Sequence, residues 1–134
     1  MQSESSRGRI LVVDDEAHIV HVVSLKLRNA GFEVRTASDG DEALAMLCEE
    51  PATLVVTDLQ MPTMTGVELA RAMAARPALA AIPVLMLTAR GHLLGEGEAS
   101  SSNIARVVHK PFSPRALLAE IETLVGATPR REAA

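Results

Sequence analysis

Ile10-Leu-Val-Val-Asp-Asp15 runs four apolar residues straight into two carboxylates. A short continuous apolar run that stops at polar residues is the pattern of a strand buried on both faces. Three further runs share it. Leu54-Val-Val56 leads to Asp58, Val84-Leu-Met-Leu87 leads to Thr88, and Val107-Val108 leads through His109 to Lys110 and Pro111. Side by side in one parallel sheet, these runs open their carboxyl ends onto a common crevice, the usual ligand position in such sheets. That crevice would gather Asp14, Asp15, Asp58, Thr88 and Lys110.

Between the runs lie segments of helical period, so the chain reads as repeated βαβ units. Ile19, Val22, Val23 and Leu27 recur at helical spacing, and Gly31 supplies a stop. A second strand is expected from Phe32 to Ala37, a helix around Glu42 to Glu49, and a helix from about Val67 to Ala75 closed before Pro77. The fourth strand is expected from Ile82 to Leu87 and the fifth from Ile104 to Val108. Ser113-Pro114 then opens a helix to about Val125, with Gly126 behind it. From Gly91 to Asn103, three glycines and Ser100-Ser-Ser102 predict a short, frayed or displaced helix. Residues 1–8 read as a polar N-terminal tail, 9–126 as one domain and 127–134 as a loose C-terminal tail.

Composition narrows the class of function. A chain of 134 residues, 48% hydrophobic and 22% charged, has enough apolar side chains for one real core and no room for a second. A net charge of -4 gives no electrostatic reason to expect nucleic acid or an acidic membrane surface, so direct DNA binding is not expected. Cys48 is the sole cysteine, which rules out an intrachain disulfide and reads as a free thiol near a helix end. With no spanning apolar run and a polar start, Met1-Gln-Ser-Glu-Ser-Ser6, the expected location is the cytoplasm.

The crevice residues suggest phosphoryl chemistry. Mg2+ prefers oxygen ligands and keeps several waters, so two or three converging carboxylates hold it without a full protein cage. Crowded like charges cost energy, and a divalent ion offsets that cost. A carboxylate also serves as a nucleophile toward phosphorus, giving an aspartyl phosphate. Asp58, followed by Pro62 and Gly66, is expected on a loop that bends away and leaves it facing the crevice. The Thr88 hydroxyl and Lys110 ammonium suit phosphoryl oxygens, and Pro111 is compatible with a cis peptide that aims Lys110 inward.

Four motifs in order, Val12-Val-Asp-Asp-Glu16, Asp58-Leu-Gln-Met-Pro62 with Gly66, Leu87-Thr-Ala-Arg90 and Lys110-Pro-Phe112, resemble the receiver domain of bacterial two-component response regulators. The resemblance runs from Arg9 to Gly126. It implies a flavodoxin-like, doubly wound parallel sheet of five strands in the order 2-1-3-4-5, with helices on both faces. It makes Asp58 the phosphoacceptor and Asp14, Asp15, Asp58 and the Gln60 main-chain carbonyl the Mg2+ contacts. Thr88 and Lys110 would bind phosphoryl oxygens, Ala89 belongs to the switch loop, and Gln60 and Arg90 would govern access of hydrolytic water. The implied donor is a phosphohistidine on a sensor histidine kinase or histidine phosphotransfer protein.

Val107 departs from the pattern, because receivers commonly place Tyr or Phe three positions before this Lys. Valine lacks the reach and polar tip of that aromatic switch. The expected function is a stand-alone switch or phosphorelay intermediate, catalysing only its own phosphorylation and dephosphorylation and signalling to a downstream protein target. Two alternatives stand beside it. A degenerate receiver would bind partners without phosphorylation, whereas a haloacid-dehalogenase-like phosphatase would need a second Asp where Gln60 stands. His18 and His21 read as solvated surface, His109 as a flanking residue, and Val20 with Leu25 either as scattered surface hydrophobes or as a docking patch for a kinase helix bundle.

Overall fold

The computed structural model describes residues 7–61, 63–89 and 103–127. Five strands, β1 (Arg9–Val13), β2 (Glu33–Ala37), β3 (Leu54–Asp58), β4 (Val84–Thr88) and β5 (Ile104–His109), pair in parallel in the order β2-β1-β3-β4-β5. The described helices are α1 (Ala17–Asn29), α2 (Gly40–Glu49), α3 (Gly66–Ala74) and α4 (Pro114–Ala127). The expected strand order and the helices on both faces are therefore present.

Alternating side chains of the central strands build two cores. Leu11, Val13, Val55, Val84 and Met86 pack with Ala43 and Leu47 of α2 and Leu69, Ala70 and Met73 of α3. Ile10, Val12, Leu54, Val56, Leu85 and Leu87 pack with Val23 and Leu27 of α1 and Leu117, Ile121 and Val125 of α4. Because both faces of β1, β3 and β4 are covered, these strands read as unbroken apolar runs rather than as alternation. Each fully buried Leu or Ile contributes about 1.5–3 kcal/mol relative to exposure.

Helix starts follow local chemistry. Asp39 caps α2 by accepting from Glu42 N–H at 2.8 Å. Thr65 and Glu68 form a reciprocal capping box at the start of α3. After α1, Gly31 takes φ 102°, a left-handed conformation that ends the helix. Gly66 answers a different need. A Cβ there would lie 2.5 Å from the Asp58 carbonyl oxygen and 2.6 Å from Met86 Sδ, so only glycine lets α3 begin this close to the end of β3.

Several expected boundaries move. β2 begins at Glu33, because the Phe32 N–H donates to the Leu27 carbonyl at 3.1 Å and so closes α1 instead of joining the ladder. β4 begins at Val84: Ile82 closes a turn onto the Leu79 carbonyl, and Pro83 has no N–H for the ladder. Gly126 lies inside the last turn of α4, not behind it. Arg7, placed in the tail on polarity, is docked: its guanidinium meets Glu122 at 2.8 Å and stands over the Phe32 ring. The expectation for Gly91 to Asn103 falls outside the described residues except at Asn103, which is buried and donates to the Ala70 carbonyl at 2.9 Å.

Candidate functional site

The sheet order brings β1 and β3 together at its centre, with Val13 opposite Thr57, so Asp14 and Asp58 emerge as neighbours. Backbone bonds fix the rim. Asp14 N–H donates to the Ala37 carbonyl at 3.2 Å, Leu59 N–H to the Leu87 carbonyl at 2.8 Å, and Lys110 N–H to the Thr88 carbonyl at 2.8 Å. One carboxylate oxygen from each of Asp14, Asp15 and Asp58 lies within 4.8 Å of the others. Asp14 and Asp58 are 1% and 7% exposed, whereas Asp15 faces solvent, which leaves the cluster an open side.

Lys110 reaches into this cluster from the end of β5. Its Nζ donates to Asp14 Oδ2 at 3.2 Å and Glu16 Oε1 at 3.0 Å, and pairs with Asp58 Oδ1 at 3.0 Å. The Lys110–Pro111 peptide is cis. Asp14 Oδ1 also accepts the Glu16 N–H at 2.9 Å. Burial pushes the Asp14 carboxyl above the ordinary carboxylate range, against the pull of the Glu16 N–H and the Lys110 ammonium. Burial raises Asp58 as well; its hydrogen bond with Lys110 resists, while the Asp14 and Asp15 charges add to the rise. For Lys110, burial works against the charged form, but hydrogen bonds to Asp58 and Glu16 with the charges of Asp58 and Asp14 outweigh it. The ammonium stays protonated well above the usual lysine range.

Among the described residues, Asp14, Asp58 and Glu16 thus share one ammonium, with the Asp15 carboxylate beside Asp14 and Asp58. Hard oxygen donors, excess negative charge and an open side fit a divalent cation such as Mg2+. Among the described residues, no histidine joins a carboxylate group of this kind; His18, His21 and His109 are exposed.

Thr88 ends β4 with 1% exposure, opposite His109. Gln60, Ala89 and Pro111 are exposed around the rim. Val107 is half-buried and packs toward the core of α2 and α3. Pro62 and Arg90 lie outside the described residues. Val20 is half-buried against the core of α1 and α4, so it forms no exposed pair with Leu25, which alone is 51% exposed. The residue that sequence reasoning passed over is Glu16. Its signal was a third carboxylate directly after Asp14 and Asp15, but only the fold shows that it shares Lys110.

The class defined by this fold and site matches a known family: the profile of the response regulator receiver domain covers residues 10–122. The chain belongs to that family. It is 38% identical over 122 residues to the transcriptional regulatory protein GltR of Pseudomonas aeruginosa, covering 90% of this chain and 50% of GltR. The DNA-binding response regulator MtrA of Mycobacterium bovis is 33% identical over 118 residues, covering 88% of this chain and 50% of MtrA. The chain thus spans about half the length of these curated relatives. Among solved structures, the response regulator TrrA of Thermotoga maritima in complex with Mg2+-BeF superposes with a TM-score of 0.77 at 30% identity, covering 87% of this chain and 97% of TrrA. Relatives named for transcription and DNA binding leave the expectation of no direct DNA binding without support. No helix among the described residues is long and apolar enough to cross a membrane.

Proposed function

We propose that this receiver accepts a phosphoryl group onto Asp58 from a phosphohistidine on a sensor histidine kinase or phosphotransfer protein, and passes the change on through a protein contact in the cytoplasm. The observation that carries this reading is the Lys110 ammonium held on Asp58 Oδ1 at the mouth of the three-aspartate cluster. Asp14, Asp15, Asp58 and the Gln60 carbonyl would hold Mg2+, which when bound offsets the crowded carboxylates and the charge on the phosphoryl oxygens.

An Asp58 carboxylate oxygen attacks phosphorus; the new P–O bond forms as the P–N bond to the donor imidazole breaks. The imidazole nitrogen keeps the bonding pair and takes a proton from solvent. The Thr88 hydroxyl and Lys110 ammonium bind phosphoryl oxygens, spreading charge during transfer. Gln60 and Arg90 govern the entry of water that later cleaves the acyl phosphate. The only reaction catalysed is the protein's own phosphorylation and dephosphorylation. Output runs from Thr88 through its backbone bond to Lys110, since Val107 offers no aromatic ring to swing. A second reading, the receiver part of a DNA-binding regulator, is favoured by the names of GltR and MtrA.

Incubation with Mg2+ and acetyl phosphate followed by intact-mass measurement tests the acceptor. Wild type should gain one phosphoryl group and Asp58→Ala none, while the mutant keeps its folded circular dichroism. Undiminished uptake in Asp58→Ala would remove Asp58 as acceptor. No uptake by wild type would favour a phosphorylation-independent binding module.

A further inference from the structure

A lysine ammonium has three N–H donors, and Lys110 meets three carboxylate oxygens, on Asp14, Asp58 and Glu16. A phosphoryl oxygen can gain a bond from Lys110 only if one of these contacts yields. Asp14 is nearly fully buried, and losing its cation would strand a charge out of water. Asp58 loses its negative charge only once its oxygen has bonded phosphorus, so before transfer its contact holds. Glu16 differs from both: its side chain is 61% exposed, so water replaces a lost bond at little cost.

Its position on α1 adds a second observation. Glu16 is the N-cap residue of α1, yet its side chain makes no capping hydrogen bond. A carboxylate at a helix start is ordinarily favoured beside the free N–H groups of the first turn. This one is turned instead toward Lys110, 94 residues away.

We propose that Glu16 is a positioning residue that competes with phosphoryl oxygens for the Lys110 ammonium, holding it in its resting place until transfer. The proposal rests on the phosphoryl-accepting reading above. Removing the competing charge frees one N–H before the donor arrives, so transfer becomes faster.

The chain has two lysines, Lys26 and Lys110, so lysine side-chain labelling gives two NMR signals that Lys110→Ala assigns. Without any phosphodonor, Glu16→Gln should move the Lys110 signal and leave that of Lys26 in place. An unmoved Lys110 signal overturns the proposal, whether or not the protein takes up phosphate. With Mg2+ and acetyl phosphate, Glu16→Gln should accept the phosphoryl group about two- to fivefold faster, the size expected of one exposed ion pair. That gain should vanish in a Lys110→Ala background, because the two residues act through one contact. Unchanged or slower uptake in Glu16→Gln, or an equal gain without Lys110, overturns the competition. Loss of uptake in every variant, wild type included, instead defeats the phosphoryl-accepting reading, and the NMR shift still decides whether Glu16 holds Lys110.

Discussion

Lys110 Nζ lies 3.0 Å from Asp58 Oδ1, which ties the end of β5 to the end of β3 across the intervening β4. The same ammonium serves Asp14, so one side chain compensates two buried carboxylates. Structural and chemical roles therefore meet in one residue.

Replacing Lys110 by Met keeps most of the side-chain volume and removes the charge. With Asp14 and Asp58 left facing each other, the metal-free protein should lose roughly 1–3 kcal/mol of stability. Urea unfolding in EDTA, followed by circular dichroism because the chain lacks Trp and Tyr, measures the loss. Equal midpoints in mutant and wild type would mean that the ion pair adds nothing to the fold.

The raised carboxyls of Asp14 and Asp58 set a pH dependence of known sign. Their folded values lie above the ordinary value near 3.8, so between the two the folded state binds more protons than the unfolded one. Their contribution favours folding most below that ordinary value and is lost as pH rises through the raised values. Accordingly, Asp58→Asn should stabilise the metal-free protein at pH 7, and the gain should shrink toward pH 3.5, where wild-type Asp58 is itself becoming neutral. Urea midpoints at both pH values check this; a gain of equal size at each would point to packing rather than charge.

Gly66→Ala should cost about 1–3 kcal/mol, since its Cβ would fall 2.5 Å from the Asp58 carbonyl oxygen and the start of α3 must shift to admit it. The shift should reach the acceptor. Amide chemical shifts of Asp58 and Leu59 should move along with the urea midpoint. Wild-type stability in this variant would show that the turn yields freely.

Much of this architecture was legible along the chain. Ile10 to Val13, Leu54 to Val56 and Val84 to Leu87 are continuous because β1, β3 and β4 are covered on both sides, and their polar stops mark the carboxyl edge of the sheet. Asp14, Asp15 and Asp58 accordingly cluster as expected from where their runs end. Local backbone chemistry also announces Gly31 as the stop of α1.

Other features exist only once distant segments meet. Phe32 reads as strand by composition, but its N–H closes α1 on Leu27 while its ring packs into the core of α1 and α4 under Arg7. Val20 falls off the predicted stripe of α1, yet the sheet and its neighbours cover it. Glu16 is the clearest case. Nothing in its neighbourhood along the chain tells a helix-capping carboxylate from one that holds Lys110, because that choice depends on the Lys110 side chain reaching from the end of β5 across β4 to the carboxylates at the ends of β3 and β1. Short-range patterns of polarity define strands and their ends; which charges share a proton donor is settled by long-range packing.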